Sequence, residues 1–119
     1  DQYGNINAHR GPGAFAGIGG FANITAKTPT VVFCMSFNAK GLTVSQKSGE
    51  ITIEKEGSVP KFVEHVNSIS FSSKRAIENG QKVLYVTERC VFKLIEVYPG
   101  IDAKRDILDQ LPFEVEYKQ

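Results

Sequence analysis

The chain lacks most of what would mark a secreted, membrane-spanning or nucleic-acid-binding protein. Of its 119 residues only two are cysteine, Cys34 and Cys90. Both sit inside apolar, strand-like runs, which predicts two buried thiols rather than a disulfide. An excess of either sign is also missing: 14 Lys and Arg against 13 Asp and Glu leave a formal net charge of +1. Nothing in that balance calls for nucleic acid or an anionic membrane. No apolar run approaches the roughly 18–20 residues of a membrane span. No signal-peptide pattern opens the chain, although its first residue, Asp1, is not an initiator Met, so the true N-terminus is expected to be absent or processed. Internal repeats and low-complexity segments are missing. Histidine is limited to His9 and His65. His9 has no carboxylate spaced to orient it, so a surface role is expected rather than that of a catalytic base. These absences leave one small domain with a single core, and a cytoplasmic home.

What is present centres on residues 11–41. Gly11, Gly13, Gly17, Gly19 and Gly20 fall within ten residues. The apolar run Val31-Val32-Phe33-Cys34-Met35 follows, and then a small-residue turn, Asn38-Ala39-Lys40-Gly41. Glycines let a backbone approach a ligand with no Cβ in the way. Several N–H groups in such a loop form a concave site for an anion, or stabilise an oxyanion on an acyl group. Lys40, on the turn after the strand, is placed to meet a phosphate or carboxylate. The plainer reading of such a loop is a tight connection. A dinucleotide fingerprint is discounted: the residues before the glycines make a weak strand, and those after them are Thr- and Val-rich rather than helical.

Hydrophobic residues make up 41% of the chain and charged residues 23%, ordinary for a globular protein. The continuous apolar centre of the 28–37 stretch predicts a strand buried on both faces. Leu42-Thr43-Val44 and Ile51-Thr52-Ile53 alternate on either side of Lys47-Ser48-Gly49, a hairpin signal. The hairpin's charges, Lys47, Glu50, Glu54, Lys55 and Glu56, are assigned mostly to a solvent face. Ile69-Ser70-Phe71 is read as strand. A short helix is expected after it, with Ser73 as N-cap and Gly80 just past its end. Residues 82–87 and 90–94 form two strands across the Glu88-Arg89 turn. Tyr98-Pro99-Gly100 is a turn, and residues 102–110 a helix capped by Asp102 and stopped by Pro112. The fold class is α/β: a mixed sheet with short flanking helices, with Val31-to-Met35 and Val83-to-Val86 as central strands.

Four segments together resemble one enzyme family. They are Gly17-Ile18-Gly19-Gly20-Phe21-Ala22-Asn23-Ile24, then VVFCMSFNAKGL, then FSSKRAIENGQKVLYVTERCVFKL, then PGIDAKRDIL. In that order, over nearly the whole chain, they resemble the C-terminal part of a single-chain CoA-transferase of the acyl-CoA:acetate/3-ketoacid type, which uses a glutamate nucleophile. The resemblance implies that residues 1–119 are one incomplete portion of an open α/β CoA-transferase domain. Such enzymes place a polar, Gly-containing turn where Leu94-Ile95 run on here, so residues are expected to be missing between those two.

The resemblance also implies a chemistry. A glutamate attacks an acyl-CoA thioester, a mixed anhydride forms, and CoA returns to the glutamate as a glutamyl-CoA thioester, from which the incoming acid takes it. That nucleophile lies upstream and is not in this chain. Glu78-Asn79-Gly80 mimics the nucleophile's surroundings in two-subunit relatives, but here it aligns with a helix-to-strand connection. Gly20 matches the family glycine whose N–H helps form the oxyanion hole, a donor worth roughly 3–4 kcal/mol in the transition state. Gly17 and Gly19 shape the loop, and Lys40 matches a lysine that contacts CoA. Thr87-Glu88-Arg89 matches a family hallmark whose implied role is a structural ion-paired turn. CoA is implied as co-substrate, with no permanent cofactor and no metal. The implied partners are an acyl-CoA, a short-chain carboxylic acid and further copies of the same enzyme, in short-chain fatty acid or ketone body metabolism. Two other readings stay open from the residues alone: a non-catalytic module that binds a CoA-like or phosphorylated ligand through the glycine loop, and a structural domain that contributes a subunit interface.

Overall fold

The computed structural model describes every residue except 12, 93–95, 98 and 117–119. The expected break between Leu94 and Ile95 therefore lies outside the described residues, as does Tyr98 of the predicted turn. The elements run β1 (Arg10–Gly11), β2 (Ala14–Phe15), α1 (Phe21–Ala26), β3 (Thr30–Cys34), β4 (Asn38–Ala39), β5 (Thr43–Lys47), β6 (Glu50–Lys55), β7 (Val59–Pro60), α2 (Ser73–Glu78), β8 (Lys82–Val86), β9 (Cys90–Phe92) and β10 (Glu96–Val97). A π-type turn over Ala103–Ile107 and a 3₁₀ turn over Leu108–Gln110 follow. The described residues group into two compact units, 1–32 with 64–83 and 33–63 with 84–119.

The largest sheet has the strand order β10-β9-β8-β3. β8 and β9 are antiparallel, with Tyr85 opposite Phe92 and Val86 opposite Val91. β9 and β10 are antiparallel too. Beside β3, the Lys82 N–H donates to the Pro29 carbonyl at 2.8 Å and the Met35 N–H to the Val86 carbonyl at 2.9 Å. Residue numbers rise together along both strands, so β3 and β8 are parallel and the sheet is mixed. The α/β class with short helices is borne out.

β8 is an inner strand as expected, but β3 is the terminal strand of its sheet among the described residues. Its run is not buried on both faces. Val31 is buried, Val32 is 48% exposed, and Cys34 is exposed while Cys90 is fully buried. A strand with two apolar faces needs a layer on each; the face carrying Val32 and Cys34 has none among the described residues.

Local chemistry accounts for the shorter elements. Ser48 and Gly49 have φ of 53° and 80°, the type I′ geometry that closes a two-residue hairpin between β5 and β6, with Lys47 opposite Glu50. The helix after Phe71 forms, but its N-cap is Ser72, one residue earlier than predicted, whose hydroxyl accepts from the Arg75 N–H. Ile69-Ser70-Phe71 is not a strand: only Phe71 makes a single bridge, to Ile6. Asp102 caps its turn by accepting from the Arg105 N–H at 2.7 Å. The predicted helix there is instead a π turn passing into a 3₁₀ turn, which carries Ile107 inward at 1% exposure. In the second unit Ile107 packs with Phe37 and Cys90, and Phe62, Phe92, Ile101 and Leu111 surround them. Burial pushes the Cys90 thiol up to about 11, so it stays protonated and acts as a small apolar group.

Candidate functional site

The glycine loop belongs to the first unit. It leaves the β1–β2 hairpin, in which Arg10 pairs with Phe15, and the Ala16 N–H ties it back to the His9 carbonyl at 2.9 Å. Gly19 has φ 55°, a left-handed conformation that disfavours a side chain. Gly20 has φ −78° and ψ 1° and is the N-cap of α1; its carbonyl accepts from the Ile24 N–H at 3.0 Å. The helix over residues 21–26 corrects the expectation that nothing helical follows the glycines. Its apolar turn is held by the Thr25 hydroxyl, which donates to the Phe21 carbonyl at 2.9 Å. The Gln81 amide then holds the C-terminal end, donating to the Thr25 and Thr28 carbonyls at 2.8 Å each. Gly17, Gly19 and Gly20 are all exposed. Among the described residues, no hydrogen bond uses the Gly20 N–H, so that donor is available to an oxyanion. A Cβ built on Gly20 meets only Ile24 Cδ1, at an ordinary 3.7 Å.

His9 lies beside this loop and is half-buried rather than on the surface. Its ring meets the Ser70 hydroxyl at 2.5 Å through Nδ1 and the Ser68 hydroxyl at 2.9 Å through Nε2. Both nitrogens are taken up by serines, with no carboxylate among those partners.

Lys40 belongs to the second unit, and its side chain is exposed. Its backbone has φ 57°, a conformation that is uncommon outside glycine. The Lys40 carbonyl accepts from the Ser58 N–H at 2.9 Å and from the Ser58 hydroxyl at 3.3 Å. Just before it, Asn38 and Ala39 pair with Pro60 and Val59.

Comparison with known proteins adds a direct finding. No family model matches the chain. Caffeate CoA-transferase of Acetobacterium woodii is 50% identical over 125 residues, which takes in 95% of this chain and 24% of the relative. Acetate CoA-transferase YdiF of Escherichia coli (strain K12) is 40% identical over 120 residues, with coverage of 95% and 23%. The crystal structure of the acyl-CoA transferase apoenzyme from Escherichia coli O157:H7 superposes with a TM-score of 0.93 at 38% identity, over 99% of this chain and 24% of that one. Its thioester complex with CoA gives the same values. This chain is homologous to part of the CoA-transferases. It spans about a quarter of the length of the relatives it matches.

Within this CoA-transferase-like chain, sequence reasoning misplaced one acid and missed one glycine. Glu56 is not a solvent-face charge. It is half-buried and takes a bidentate pair from Arg89, Nη1 to Oε1 at 2.7 Å and Nη2 to Oε2 at 3.0 Å. Arg89 itself is 0% exposed. Its Nε donates to Glu88 Oε1 at 2.7 Å, and its guanidinium carbon lies 4.4 Å from the centre of the Phe37 ring. Desolvation would lower the Arg89 pKa, but the bonds to Glu56 and Glu88 outweigh it and raise it; the Arg89 hydrogen bond in turn holds the Glu56 carboxyl below its ordinary value of 4.5. Gly57 was also missed: a Cβ there would stand 2.2 Å from the Ala39 carbonyl oxygen. Glu88-Arg89 was legible as an ion-paired turn; the depth of its burial and its third partner were not. Glu78 is exposed at the end of α2, with Asn79 as C-cap. No cluster of three or more metal-ligating residues occurs among the described residues, and no helix there is long and apolar enough to cross a membrane.

Proposed function

We propose that residues 1–119 form the C-terminal portion of an enzyme that moves CoA between a short-chain acyl-CoA, or a 3-ketoacyl-CoA, and a free carboxylic acid such as acetate. The carrying observation is homology: half the residues are identical to a CoA-transferase across 95% of the chain. On this reading a glutamate outside the chain attacks the thioester carbon. CoA thiolate leaves as the mixed anhydride forms, then attacks the glutamyl carbonyl and releases the acyl group as its carboxylate. The incoming acid regenerates the glutamate by the reverse steps. Each attack places negative charge on a carbonyl oxygen, and the Gly20 N–H is the donor we assign to it. Gly17 and Gly19 hold the loop open around it. Lys40 meets CoA as a cation, CoA being co-substrate rather than resident cofactor. A cytoplasmic homo-oligomer in short-chain fatty acid or ketone body metabolism completes the proposal.

Gly20→Ala in the full-length enzyme is the test. Its φ of −78° and the open space for a Cβ mean alanine is accommodated, so thermal melting should barely move. Alanine keeps the N–H, but its Cβ would stand beside the reacting carbonyl, crowding the acyl group or turning the donor away from its oxygen; kcat should drop roughly a hundredfold or more, the scale of an oxyanion donor put out of place. A folded variant with unchanged kcat and kcat/KM removes Gly20 from the site. CoA binding without any exchange by the full-length protein would favour a non-catalytic module instead.

A further inference from the structure

We propose that the network of Arg89, Glu56 and Asn38 positions CoA: together with Glu88 it fixes the backbone that presents Lys40. The inference rests on the reading above that Lys40 meets CoA.

The geometry is a clamp on both sides of the residues leading into the Lys40 turn. Arg89 holds two carboxylates, and each spends its remaining capacity on the segment before Lys40. Glu88 Oε2 accepts the Phe37 backbone N–H at 2.8 Å. Glu56 Oε2 accepts the Asn38 side-chain amide at 2.5 Å. Asn38 Oδ1 then accepts the Gly57 N–H at 2.8 Å, which draws the 57–58 backbone against residues 39–40. Gly57 has no room for a Cβ there, and Ser58 bonds the Lys40 carbonyl. Arg89 is locked in turn by the Asp106 carbonyl, which accepts from Nη1 at 2.8 Å, and by the Phe37 ring beneath it.

The cost of the arrangement lies at Lys40. A non-glycine residue at φ 57° is held in a sparsely populated conformation, which persists where the surroundings over-determine it. Glycine would suit this backbone better, and the next residue, Gly41, is one, with φ 98°. An exposed lysine there, presented by a network built on the buried Arg89, is the arrangement expected of a cation whose position matters to a ligand. Arginine suits Arg89's place because its planar fork engages Glu56 bidentately while Nε reaches Glu88, a geometry one ammonium group does not reproduce.

The test uses the full-length enzyme with propionyl-CoA and acetate as probe substrates. Lys40→Ala should raise the KM for propionyl-CoA about tenfold, with the KM for acetate unchanged, the scale of one lost hydrogen bond to a charged group. Asn38→Asp sets a carboxylate against Glu56 and should raise the same KM in the same selective way. Placed on the Lys40→Ala background it should add nothing further. A network that only stabilises the fold would instead lower the melting temperature and leave both KM values alone. A folded Asn38→Asp enzyme with wild-type KM for propionyl-CoA, beside a Lys40→Ala enzyme that has lost affinity, overturns the positioning role and leaves the CoA reading standing. Unchanged KM in Lys40→Ala overturns the CoA reading at Lys40, and the positioning role with it. Glu56→Gln, isosteric and uncharged, carries the same comparison if Asn38→Asp does not fold, and a wild-type KM there is equally fatal.

Discussion

The two compact units of this chain bury their apolar residues to different extents. In the second unit Phe37, Cys90 and Ile107 are each at most 3% exposed and pack as one cluster. In the first, Val31, Phe71, Ala76 and Val83 are buried, yet Tyr3, Phe15, Ile24, Ile69 and Ile77 stand 56% to 81% exposed. The first unit is tied instead by side chains that satisfy backbone groups. Asn5 accepts from the Ser73 N–H at 3.0 Å, Asp1 from the Val66 N–H at 3.1 Å, and Gln81 closes the end of α1. Hydrogen bonds contribute about 1 kcal/mol each after the exchange with water, whereas burying a large apolar side chain contributes about 1.5–3 kcal/mol. The second unit therefore concentrates its stability in a few residues, and the first spreads it over many small terms.

The sharpest test of that contrast is Arg89→Met. It leaves the Glu56 and Glu88 carboxylates without their shared partner; breaking a fully buried pair from one side costs about 3–5 kcal/mol, and because these two side chains are 35% and 18% exposed, urea unfolding should show a loss near the lower end of that range. Ile107→Ala should follow at about 2–5 kcal/mol, from lost transfer energy and the cavity left behind. A loss under ~1 kcal/mol in either variant would dissolve the contrast.

Acidification should also act on the second unit. Hydrogen bonds from Arg89 hold the Glu56 carboxyl below its ordinary 4.5, and bonds from Arg105 hold Asp106 below its ordinary 3.8. Both folded values are depressed, so the stability they confer is fully present above those ordinary values. It is lost as pH falls through the lower folded ones. The urea midpoint should decline over that range, and Glu56→Gln should flatten part of the decline. An unaltered acid profile in Glu56→Gln would show that this carboxylate is not linked to folding.

The smallest effect belongs to the first unit. Ile77 is 78% exposed on α2, and Ile77→Lys should change stability by no more than about 0.5 kcal/mol. A larger loss would mean that this face is covered in solution.

The sequence determined the features whose causes lie within a few residues. Ser48-Gly49 closes its hairpin because both positions adopt positive φ. Gly80 stops α2 at φ 68°, Asp102 caps the turn after Pro99-Gly100, and Glu88-Arg89 turns between two strands. The four family-like segments were legible for the same reason, as residue order is itself local information. The structure decided what depends on distant partners. Glu56 looks like any other hairpin charge until the fold brings Arg89, 33 positions away, against it. Gly57 looks like a loop glycine until the Ala39 carbonyl occupies the space of its Cβ. Cys34 and Cys90 both sit in apolar runs, and only strand position separates them: Cys90 lies on β9 within the cluster, and Cys34 points from the outer strand of the sheet. Periodicity reports which residues share a face; whether another layer covers that face is settled by tertiary packing.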